Sequence, residues 1–298
     1  LSRLLLLFAI FLVSTAGLFA HQALTEATPL AIAAWRLGLA SVFFVGLSLV
    51  RRSTVSPLPL TPSARARLVL AGFCLALHFV TWFAALDRTP IARATLMACT
   101  TPLWTTLGSF LLGRRRPTSR DGAALAIAGI GLWLVTHSAA QTATPTTFLG
   151  DLLGLTAGFL FGCYLLCVEG LHDTISSQRQ VTLAYSVAAG LLWGLLLLRG
   201  GVTLHYSPRV WRALLGMTLG PQIFGHTLLN WSLQNFSSSI VAFSILLEPI
   251  ITALLAWVLL RQALTPLQMF GGLLVLCALA LVIGQQTRAE RVEDEAVG

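Results

Sequence analysis

From residue 3 to residue 284 the chain is a succession of apolar stretches, each about 20 residues long, separated by short breaks rich in arginine or in Pro, Ser and Thr. A helix of that length crosses the roughly 30 Å hydrocarbon core of a bilayer. Composition removes water as the alternative solvent: 56% of residues are hydrophobic, 10% are charged and the mean hydropathy is +0.82. A soluble domain carries roughly 25% charged residues. A transmembrane barrel would need strands of about ten alternating residues, and these runs do not alternate. The expected fold class is therefore an all-α polytopic membrane protein. Its spans are placed near 3–21, 29–50, 67–86, 92–112, 121–138, 149–168, 180–198, 211–233, 238–260 and 266–284.

The net charge of +8 comes with 19 arginines and no lysine. Arg51, Arg52, Arg65 and Arg67 follow the second segment, and Arg114, Arg115, Arg116 and Arg120 follow the fourth, whereas the breaks after the first and fifth carry neither arginine nor lysine. That clustering is a topology signal and not a nucleic-acid face; it puts both termini in the cytoplasm of a multi-pass inner-membrane protein. Arg199, Arg209, Arg212 and Arg261 oppose the scheme, so the bias is weaker in the second half. The first segment resembles a signal peptide, but its apolar stretch is long and a cleavage site is not convincing, so it is read as a retained helix. The five cysteines all lie in apolar runs without metal-ligand spacing and are read as packing residues, with no cofactor or metal expected.

Two phrases repeat. CTTPLWTTLGSFLLGRRRPT (99–118) and LLEPIITALLAWVLLRQALT (246–265) align at an offset of 147, which pairs Leu86 with Leu233, Pro102 with Pro249, Thr105 with Thr252 and Arg114 with Arg261. Proline inside a membrane span is unusual, and here it recurs in the same register. Five spans per copy is an odd number, so the second copy enters the membrane in the opposite direction. Such inverted repeats build many secondary transporters, with the binding site near mid-membrane between them. The expected organisation is a first five-helix repeat over 1–138, a linker over 139–148, an inverted repeat over 149–284 and a polar tail over 285–298.

The stretches LDRTPIARATLMACTTPLWTTLGSFLLG and LQNFSSSIVAFSILLEPIITALLAWVLLRQALT resemble the EamA module of the drug/metabolite transporter superfamily, and Trp35-Arg36 in PLAIAAWRLGLA resembles the arginine that often marks its second helix. Within the superfamily the chain looks most like the YddG-type exporters of aromatic amino acids and the dication paraquat. The resemblance implies an exporter of small amphipathic metabolites working by alternating access. The chain departs from the pattern at Thr101, which stands where the second copy has Glu248.

Pro102 and Pro249 are expected to kink their helices mid-span, each freeing a carbonyl that must face protein or a watery cavity. Glu248 is the carboxylate nearest mid-membrane, and such an acid marks a functional site by default. It is read as a proton or cation site, as a hydrogen-bonding support near the kink, or as partner to a buried base. His78 and Trp82 lie four apart on the third segment; Gln222, His226 and Asn230 repeat that spacing on the eighth, so each set shares a helix face. With Thr101, Trp104, Tyr164 and Ser244 they form the candidate substrate lining, in which aromatic faces stack and polar groups orient. Arg36 is expected to salt-bridge a neighbour or to reach toward the outer membrane surface, ahead of direct contact with a substrate carboxylate. Gly154, Gly158 and Gly162, and Gly216 with Gly220, are expected to let helices approach closely.

Enzyme chemistry finds no support: HExxH, a nucleophilic serine motif and paired mid-membrane aspartates are all missing, as is a phosphate-binding loop. A channel would ring its pore with repeated charges or carbonyl loops. A membrane scaffold is the remaining alternative. The expected partners are membrane lipids and a small-molecule substrate, with the chain a monomer or homodimer.

Overall fold

The computed structural model describes residues 1–50, 60–89, 91–114, 116, 118–139, 147–171, 175–260, 265–267 and 269–281. Arg51, Arg52, Arg115, Arg261, most of the expected linker and the polar tail lie outside that set. Among the described residues every regular element is helical: α1 (Ser2–Ser14), α2 (Ala16–Ala23), α3 (Pro29–Val50), α4 (Pro62–Leu86), α5 (Ile91–Ala98), α6 (Thr101–Leu111), α7 (Ser119–Ala139), α8 (Phe148–Val168), α9 (Ser177–Leu198), α10 (Pro208–Met217), a π-helix (Thr218–His226), α11 (Thr227–Ser232), α12 (Ser238–Ile245), α13 (Glu248–Leu260) and α14 (Met269–Leu281). The stretch Ser2–Ala23, together with α3, α4, α8 and α9, is long and apolar enough to cross a membrane.

Hydroxyl residues start several of these helices. The side chains of Thr61, Thr147, Ser176, Ser207 and Ser237 each accept the backbone N–H three residues on, filling a donor that the first turn leaves free. Pro62 and Pro208 follow two of these caps, at the position where the missing N–H costs nothing.

The sequence segments map onto helical runs, but four of the runs are interrupted, at Thr15, at Cys99–Thr100, through Thr218–His226 and at Leu246–Leu247. Pro102 and Pro249 each occupy the second residue of a helical segment. Thr100 and Leu246 before them keep right-handed helical backbone, and hydrogen bonds to the third residue back run through both turns. Each expected bend is therefore a tightened turn within one helical run. Pro102 cannot donate to Ala98 four residues back, and the Thr101 hydroxyl does so instead at 2.9 Å. The break in the first run is closed from outside, where the Thr252 hydroxyl donates to the Ser14 carbonyl at 3.1 Å.

The π-helix has a cause legible in the register. The caps Thr61 and Ser207 are 146 residues apart, whereas Leu86 and Leu233, at the far ends of the same runs, are 147 apart. The second copy carries one extra residue, and the wider i→i+5 winding takes it up around Pro221.

Packing is related by exchange of the halves. Helix α4 lies on α8 as the π-helix lies on α1; α5 and α6 lie on α8 as α12 and α13 lie on α1; α3 meets α9, and α6 meets α12. Glycines set the closest approach. A Cβ at Gly154 would sit 2.6 Å from that of Met97, one at Gly158 2.7 Å from the Ala98 carbonyl oxygen, and one at Gly162 2.9 Å from the Trp104 Cβ. The expected stripe on α8 therefore cradles the break between α5 and α6. On the eighth run the stripe divides: Gly216 abuts Phe19, but Gly220 faces open space.

A candidate binding cavity where the broken helices meet

Among the described residues the four interruptions converge on one narrow cavity of about 40 Å³, room for a few waters and for a larger molecule only once its walls part. Val13 and Ala16 flank the Thr15 break, Cys99 and Thr101 flank the second, His226 closes the π-helix, and Ile245 and Glu248 flank the last.

α4 contributes His78, Phe79 and Trp82, and α8 contributes Phe161. His78 lies 4.8 Å from both the Phe79 and Phe161 rings, and His226 meets the same two edge-on at 5.2 and 5.5 Å. The two phenylalanines thus bridge the two histidines. His78 Nδ1 is 2.9 Å from the Ala157 carbonyl, which can only accept, so Nδ1 carries a proton and donates.

Arg36 overturns its expectation. It neither reaches a membrane surface nor pairs with an acid; it is completely buried in the cavity wall. Its Nε donates to Gln222 Oε1 at 2.6 Å, and its guanidinium lies 4.1 Å over the Phe79 ring. Its Nη1 and Nη2 have no partner, and no direct ion pair joins it to Glu248 among the described residues.

Of the expected lining, His78, Trp82, Thr101, His226 and Glu248 face the cavity. Tyr164, Gln222, Asn230 and Ser244 are buried just behind it: Tyr164 donates to Asn230 Oδ1 at 3.2 Å, and Gln222 holds Arg36. Trp104 is elsewhere. Its indole N–H is spent on Thr100 Oγ1 at 3.1 Å and its ring stands edge-on to Phe159. Phe79, Cys99 and Phe161 were missed, since single apolar residues in an apolar run carry no distinguishing pattern. Arg36 carried a signal, being the one arginine well inside a continuous apolar segment. Trp193 and Trp211 both stand edge-on to Trp35 at 4.9 Å.

A family model described as the EamA-like transporter family matches residues 2–137 and again residues 148–284. An uncharacterized transporter of Archaeoglobus fulgidus is 25% identical over 290 residues, covering 96% of this chain and 99% of its own length. The uncharacterized transporter YwfM of Bacillus subtilis is 26% identical over 297 residues, covering 98% of this chain and 97% of its own. A solved crystal structure shares the fold with a TM-score of 0.76 at 19% identity, over 97% of this chain and 98% of its own.

Proposed function

Because the chain belongs to the EamA-like transporter family, and is thus a multi-pass membrane transporter, we propose that it exports small amphipathic metabolites, foremost aromatic and other hydrophobic amino acids. The cargo occupies the cavity at the breaks and is released by alternating access between two inverted five-helix halves of a protein in the inner membrane, with both termini cytoplasmic. The observation that carries this reading is the meeting of four helix interruptions at one aromatic and charged cavity. Helices whose winding changes at the cavity can bend there as one half rocks against the other.

The test is flux in proteoliposomes loaded with labelled phenylalanine, tryptophan, leucine or a quaternary dication under defined gradients. Efflux of at least one amphipathic amino acid above empty liposomes is expected. Absence of flux for every candidate overturns the reading.

A further inference from the structure

Resting on that reading, we propose that the cavity selects zwitterions: Arg36 takes the cargo's carboxylate and Glu248 its ammonium, while the apolar side chain lies among Phe79, Phe161 and Trp82.

Arg36 is held but not satisfied. Gln222 and the Phe79 face fix the plane of its guanidinium, yet both terminal nitrogens lack partners in a completely buried side chain. A buried charge without partners is costly, and an anion that accepted from both nitrogens would remove that cost. The planar fork matches a carboxylate through two parallel N–H···O bonds. Glu248 lines the same cavity, is partly exposed to it, and makes no ion pair with Arg36 among the described residues. The pair therefore offers one donor fork and one acceptor, set apart in a single chamber. A cargo with a cation alone would satisfy Glu248 but leave Arg36 unpaired beside a like charge. A dication would be worse.

The experiment uses the purified full-length chain and two ligand triads built on benzyl and isobutyl groups: the amino acid (phenylalanine, leucine), the same molecule without its carboxylate (phenethylamine, isopentylamine), and the same without its amine (3-phenylpropionate, 4-methylpentanoate). Equilibrium binding and liposome flux are read for each. At least one amino acid should bind about tenfold or more tightly than either of its truncated forms, as expected when a buried charge loses its partner. Glu248→Gln should close the gap between amino acid and acid. Arg36→Met should close the gap between amino acid and amine. Should Arg36→Met fail to fold, Gln222→Glu supplies an internal carboxylate to the guanidinium and should weaken amino-acid binding while sparing the amine. An amine or a dication that binds wild type as well as the amino acid, or an order of preference that no variant changes, overturns the zwitterion site. If amines or acids are carried and amino acids are not, this proposal falls while export stands. If nothing is carried, the export reading falls and this one with it.

Discussion

Thr101 and Glu248 show how one residue differentiates two copies of the same joint. Both immediately precede the proline that starts a new helix. Thr101 gives its hydroxyl to the carbonyl its proline abandoned, and the same oxygen lies 3.2 Å from the Gly158 carbonyl. An ionised Glu248 has no proton to donate, so the first joint is fastened to its neighbours and the second presents an acceptor to the cavity. Replacing Thr101 with Val keeps the shape and strips the donor. We expect a loss of about 1–2 kcal/mol, visible as a lower melting temperature in detergent and largely restored by Thr101→Ser. Glu26 supplies a pH-dependent counterpart outside the spans. Hydrogen bonds from the Ser207 hydroxyl and N–H lower its carboxyl from the ordinary range, where the acid sits at the start of α10. A lowered folded value means this stabilisation is present above the usual glutamate range and is lost as pH falls through the lowered value. Melting curves should therefore show Glu26→Gln as less stable than wild type near neutrality, by a small margin at this exposed site, with the two converging in acid.

At the scale of elements, the decisive contact is α8 against the broken run of α5 and α6. Gly158 faces the joint itself: a Cβ there would meet the Thr100 hydroxyl at 2.6 Å and the Ala98 carbonyl at 2.7 Å. Gly158→Ala should cost about 1–3 kcal/mol through overpacking and should slow flux, because backbone groups at the joint must shift. Gly190 on α9, with nothing within 4 Å of its would-be Cβ, is the control. Gly190→Ala should leave melting temperature and flux unchanged or slightly raised, since alanine is the better helix former.

For the whole molecule, Glu169 is a centre of the hydrogen bonds that tie the ends of α6, α8 and α12. Arg67 adds bonds to the Cys167 and Glu169 carbonyls, and Arg114 one to the Leu166 carbonyl. Glu169, just past α8, accepts from Arg114 at 2.7 Å at the end of α6, and from the Ser238 N–H and hydroxyl at 2.7 and 3.1 Å where α12 begins. Arg114 belongs to the first half, Glu169 and Ser238 to the second. Arg114 and Glu169 are only partly shielded, so a double-mutant cycle between them should return a coupling of roughly 1 kcal/mol. Glu169→Ala also strips two hydrogen bonds from the start of α12, and Arg114→Ala strips one to the Leu166 carbonyl, so Glu169→Ala should have the larger effect on melting temperature. An Arg114→Ala effect as large or larger would place the tie on Arg114. Contacts between elements recur about 147 residues apart, α4 on α8 and the π-helix on α1.

The all-helical membrane fold was legible because lipid leaves a backbone no alternative to internal hydrogen bonding, and span-length apolar runs announce it directly. The duplication was legible from a shared register, as were His78, Trp82, Thr101, His226 and Glu248, polar or aromatic residues at helical spacing in apolar runs. Tertiary packing settled what such patterns leave open. How a helix accommodates its proline depends on which neighbour donates to the vacated carbonyl, as Thr101 does for Ala98. Whether a buried arginine is satisfied depends on residues 186 positions away, as Gln222 is from Arg36. Periodicity is a local property of one helix, but the saturation of a hydrogen-bonding group is a property of everything packed around it.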